Sequence, residues 1–190
     1  MERILSRALS FFAVAVLGAA CSEIGSAERP LRLQLVATGD PELARLRLET
    51  LVEYVESCAS MELHGEEGRF HIEGVLAGDS AALRAALADG AADLVPLLPE
   101  VFRELGGGQD GGPRALLAEI PGPSETAALW VLRPMAPDDP ARQEQLEGAL
   151  RAGLLELASS REGREILEGL LDIGGFTLVE AKVDADSTPP

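Results

Sequence analysis

Few side chains in this sequence could do covalent chemistry. Its 190 residues hold two cysteines, Cys21 and Cys58, and two histidines, His64 and His71. A thiol nucleophile needs an adjacent base, and neither cysteine has an evident one. No serine stands in a Gly-x-Ser-x-Gly elbow. Metal ligation needs histidine or cysteine at ligand spacing, and none occurs. The acids Glu62, Glu66 and Glu67 lack the alternating oxygen ligands and turn glycine of a calcium loop, so they read as a solvated face. The glycines at 106–108 lack the lysine and following helix of a phosphate loop. With one cysteine spoken for at the N-terminus, no disulfide framework is available, and Cys58 reads as a small buried hydrophobe. The expectation is a protein that binds rather than catalyses, with no cofactor and no metal.

Charge narrows what it could bind. The formal net charge is −16. Residues 1–20 carry two Arg and one Glu; without them 14 basic and 31 acidic residues remain, a balance of −17. That argues against nucleic acid, whose binding rests on neutralising phosphates. It also disfavours electrostatic attachment to anionic lipid. Only 4% of residues are aromatic, so the core must be built from Leu, Ala, Val and Ile.

The N-terminus offers another route to a membrane. Arg3 and Arg7 precede the largely apolar run 8–17 (ALSFFAVAVL), and Gly18, Ala19 and Ala20 precede Cys21. Basic, apolar and small-residue segments in that order make a secretory signal. The apolar run is shorter than the roughly 20 residues a spanning helix needs. Small residues directly before a cysteine resemble the lipobox of bacterial lipoproteins, although Gly18 stands where that family favours leucine. The resemblance implies cleavage before Cys21 and acylation of its thiol with palmitate-type chains. Ser22 after the cysteine resembles the pattern sorted to the outer membrane, on the periplasmic side.

The rest of the chain supplies the elements that would position a site. The reading is a signal at 1–20, a polar tether at 21–30, one α/β domain at 31–183 and a disordered tail at 184–190. Alternating Leu31, Leu33, Leu35 and Ala37 predict a first strand. Asp40-Pro41 opens a helix over 41–57. A strand over 69–76, a helix over 81–89 and a short buried strand over 92–95 follow, the last ended by Pro96. A short helix from Pro99 leads to the loop at 106–113. Two strands at 115–120 and 127–132 precede a long helix from about Pro140 to Ala158. Ser159 with Glu162 suggests a capping box for a last helix. Gly174-Gly175 suggests a turn into a final strand over 176–180. Alternation of strands and helices predicts a mostly parallel sheet with helices on both faces.

Two stretches carry a family resemblance. The segment 36–98, above all LRAALADGAADL at 83–94, is similar to the first lobe of type 2 periplasmic solute-binding proteins. There a helix ends in glycine and a strand opening with Asp follows. The run Arg161 to Leu167 (REGREIL), then Ile173, Gly174, Gly175 and Phe176, resembles the end of the phosphate/phosphite/phosphonate-binding subfamily. The resemblance implies one lobe of that fold and a lipid-anchored binding component of an ABC transporter. Its partners would be a small solute, such as an oxyanion, and a membrane permease. The segment at 106–126 stands where a second lobe would be. An interaction lipoprotein that kept the fold and lost the solute site is the alternative.

In open α/β sheets ligands bind outside the C-terminal ends of the strands. That rule marks Thr38, Gly39 and Asp40 after the first strand, and Leu97 and Leu98 within 96–99 after the third. The subfamily's anion-binding helix start has its nearest counterpart in Pro123-Ser124-Glu125-Thr126, which adds Ser124 and Thr126 as candidates.

Overall fold

A computed structural model describes residues 24–65, 68–122, 127–136 and 138–179. The acylation candidate Cys21, the candidates Ser124 and Thr126, and the tail at 184–190 lie outside the described residues. The elements run β1 (Leu31–Leu35), α1 (Pro41–His64), β2 (Ile72–Leu76), α2 (Ser80–Ala88), β3 (Leu94–Leu97) and α3 (Pro99–Glu104). Then come β4 (Arg114–Pro121), β5 (Leu129–Leu132), α4 (Pro140–Ser159), α5 (Arg161–Leu171) and β6 (Ile173–Leu178).

The six strands form one sheet in the order β2-β1-β3-β5-β4-β6. The α/β class holds, but the sheet is mixed rather than mostly parallel. β1 pairs parallel with β2 and β3, whereas β3–β5, β5–β4 and β4–β6 are antiparallel. The cause is the connection between β4 and β5. It contains no helix among its described residues, so the chain returns beside itself as an antiparallel pair rather than crossing over.

Helices α1, α4 and α5 cover one face. Their apolar stripes, including Leu51, Val55, Leu150, Leu154 and Leu167, close on Leu31, Leu33, Leu35, Leu117 and Trp130. Trp130 also meets Phe176 edge-on, with ring centroids 5.2 Å apart. The other face is covered by the short α2 and α3, over Val95, Leu97 and Val131.

Several boundaries differ from the sequence expectation for local reasons. α1 continues to His64 because no glycine or proline interrupts it before Gly65, which ends it at φ 63°. Gly74 lies inside β2, which keeps an unbroken register against β1. It lets α1 approach closely: a Cβ there would stand 2.7 Å from Val52 Cγ2. Pro96 lies inside β3, opposite Trp130 of β5. The β1–β3 register holds only at Leu33 and Leu94, so the proline sits where β5 is the strand's registered neighbour. Gly174 and Gly175 belong to β6, not to a turn before it. The segment expected as a tether is partly docked: His71 N–H donates to Gly25 O at 2.6 Å, and Ile24 packs against the core.

Candidate functional site

The C-terminal ends of β1 and β3 meet at an open depression of about 150 Å³. Val36 follows β1, and Pro96, Leu97 and Leu98 end β3. Ser80 and Leu83 of α2, Val101 of α3 and Leu171 of α5 contribute further walls. The remaining lining comes from Glu119 of β4 and Ala128 just before β5. The expected Leu97 and Leu98 are therefore at this crest.

Thr38, Gly39 and Asp40 are close in the chain but occupied otherwise. Thr38 N–H donates to Leu170 O at 2.9 Å and ties the loop after β1 to the end of α5. Asp40 is the N-cap of α1, its Oδ1 accepting from Glu42 N and Leu43 N, each at 3.0 Å. Gly39 has φ 81°, which its lack of a side chain permits.

Glu119 is the functional candidate that sequence reasoning missed. It is only 8% exposed. Its Oε1 accepts from Trp130 Nε1 at 3.0 Å and its Oε2 from Ala128 N at 3.1 Å. Burial pushes its carboxyl above the usual range, and those two hydrogen bonds partly oppose the rise. No Lys, Arg or His of the described residues pairs with it. One signal was available: an acid interrupting the apolar strand ALLAEI. Register against β5 puts Glu119 on the same face as Leu117 and Trp130.

The second buried acid of the sheet stands at its other end. Asp93 is 2% exposed. Its Oδ1 lies 2.6 Å from an Arg133 terminal nitrogen, and its Oδ2 accepts from Arg32 N at 2.9 Å and pairs with Arg32 Nε at 3.4 Å. Arg32 also donates to Gly90 O at 2.6 Å, closing the turn after α2. The helix–glycine–strand–Asp pattern is thus a clasp joining β1, β3 and the segment after β5.

The REGREIL motif is likewise structural. Ser160, one residue after the expected cap, ends α4 and caps α5, its Oγ accepting from Gly163 N at 2.9 Å. A Cβ on Gly163 would stand 1.8 Å from Leu157 O, so only glycine fits this elbow. Arg164 donates to Ser159 O at 2.9 Å and to Ala158 O at 3.3 Å, satisfying the last carbonyls of α4.

Cys58 is half-buried between α1 and α4, its sulfur 4.0 Å from Glu156 Oε2. Burial, then the Glu156 charge, pushes its thiol up, away from nucleophilic character. Among the described residues no group of three His, Cys, Asp or Glu could hold a metal ion. Nor, among them, is any helix long and apolar enough to cross a membrane.

The sequence matches no family profile and no curated protein. Two solved structures share the fold. XAC2383 from Xanthomonas citri bound to chloride ion aligns with a TM-score of 0.54 at 14% identity, over 79% of this chain and 91% of that one. XAC2383 bound to ATP aligns with a TM-score of 0.51, at the same identity and coverage.

Proposed function

We propose that this protein is a lipid-anchored, extracytoplasmic binding protein for a small solute, with its site in the crest depression. The observation that carries the reading is the position and make-up of that depression. It lies where the parallel strands β1 and β3 end, the place where α/β sheets take ligands. Its walls are mostly apolar, with Ser80 and the nearly buried Glu119 as the polar residues among them. Mostly apolar walls with few placed polar groups are the usual composition of small-molecule sites.

XAC2383 has been solved with chloride and with ATP, and at 14% identity the likeness speaks to fold alone. A volume of about 150 Å³ is well below the ~300–1,000 Å³ of pockets for drug-sized ligands, so a nucleotide would not be enclosed here. A component of a phosphate- or phosphonate-type ABC transporter remains the family expectation from REGREIL and from 83–94. Both motifs hold the scaffold together, so they support kinship of fold more than a particular solute.

Two experiments test the reading. A small-solute screen by thermal shift on the purified full-length protein should find a stabilising ligand, because binding to the native state alone must stabilise it. Absence of any such ligand refutes the binding function. For the anchor, Cys21→Ser should move the protein from the membrane fraction to the soluble one; unchanged fractionation refutes lipidation.

A further inference from the structure

Glu119 differs from the other buried acids in what it lacks. Asp93 has Arg32 and Arg133, and Glu147 lies 3.5 Å from Arg114 Nε. Among the described residues Glu119 has two hydrogen-bond donors, Trp130 Nε1 and Ala128 N, and no cation. A carboxylate has about four acceptor sites on its two oxygens. The described residues fill one on each oxygen, and Glu119 is among the residues that line the depression. A buried charge is costly unless paired, and among the described residues no cation pairs with this one.

Resting on the solute-binding reading above, we propose that the crest takes a small primary ammonium with a short aliphatic body. Its head would donate to Glu119, and its chain would lie along Pro96, Ala128 and Leu171, the lining residues on the same side of the sheet. An ammonium offers three donors and a full positive charge, which complements a desolvated carboxylate. A divalent ion is a poor occupant, because one carboxylate falls far short of the six or more oxygens calcium requires. An oxyanion is also poor, since it would face the Glu119 charge at close range with no described cation to offset it. The protein's net charge of −16 favours attraction of a cation from solution.

The test uses n-butylammonium as probe, with n-butanol, methylphosphonate and inorganic phosphate beside it, on the purified full-length protein. Trp130 is the sole tryptophan and donates to Glu119, so its fluorescence reports the site directly. Butylammonium at ten times its dissociation constant should raise the melting temperature by about 3 °C and shift Trp130 emission. Butanol and both anions should do neither. Glu119→Gln should abolish the response while keeping much of the hydrogen bonding. Leu98→Phe, which narrows the mouth without touching the carboxylate, should abolish it as well. Equal stabilisation of wild type and Glu119→Gln by butylammonium overturns the proposal. So does stabilisation by phosphate or methylphosphonate with none by butylammonium, which would leave the solute-binding reading intact. Failure of every probe overturns the ammonium proposal, and a barren wider screen then overturns the binding function too.

Discussion

Asp93 and Glu119 are both acids of the central sheet, and both are nearly inaccessible to water, yet they are treated in opposite ways. At the entry to β3, Asp93 is held by two guanidinium groups and a backbone amide. At the crest, Glu119 is held, among the described residues, by an indole and a backbone amide. The first arrangement neutralises a charge inside the fold and fixes three chain segments. The second leaves an acid with no counter-charge among the described residues, in the lining of an open depression. Fixed, paired acids belong to stability; an unpaired acid in a depression is where a binding site would be built.

Breaking the Asp93 clasp should have the largest effect. Asp93→Ala leaves Arg133 and Arg32 without their carboxylate, and removing one partner of a buried pair costs about 3–5 kcal/mol. The lower end is expected, since both arginine side chains are near one-third exposed. Urea unfolding measures it, and a loss below about 1 kcal/mol would dissolve the contrast with Glu119. Next comes the α4–α5 elbow. Gly163→Ala forces a methyl against Leu157 O, and overpacking of this kind costs about 1–3 kcal/mol. Neither change should alter the Trp130 response to butylammonium. An altered response would mean that the motif residues also shape the crest.

A smaller effect is expected from Asp40, which the loop position after β1 marks as a ligand residue and the geometry marks as a helix cap. Asp40→Ala should cost about 1 kcal/mol through the lost cap and leave the butylammonium response in place. Loss of the response at unchanged stability would return Asp40 to the site and weaken Glu119's claim to it.

What was legible in the sequence follows the same division. Strand and helix existence, the Asp40 cap and the crest positions Leu97 and Leu98 could be read locally, because periodicity and capping chemistry are local. The direction of β5 could not, since it depends on whether the chain after Pro121 crosses over or folds back. Nor could the pairing of Asp93 with Arg133, 40 residues away. Glu119 was visible as an acid in an apolar strand, but its meaning came from Trp130, placed beside it by register, and from the absence of a cation among its described neighbours. The family motifs were the easiest pattern to see, and they turned out to hold helices and strands together.

The finest test of the comparison is the pH dependence of the crest acid. Burial raises the folded-state carboxyl of Glu119 above its ordinary value, so the folded protein holds this proton more tightly than the unfolded chain does. For a raised group the stabilising contribution is complete below the ordinary glutamate value and is lost as pH rises through the folded one. Wild type should therefore lose stability relative to Glu119→Gln across that window. At low pH the amide should be the less stable form, by no more than about 1 kcal/mol, because its NH2 cannot accept from one of the two donors. The difference should narrow or reverse on the alkaline side, and saturating butylammonium should remove the pH-dependent part by favouring the ionised carboxylate. Parallel stability curves for the two proteins would show that Glu119 is as well compensated as Asp93, and the reason for placing a cation beside it would be gone.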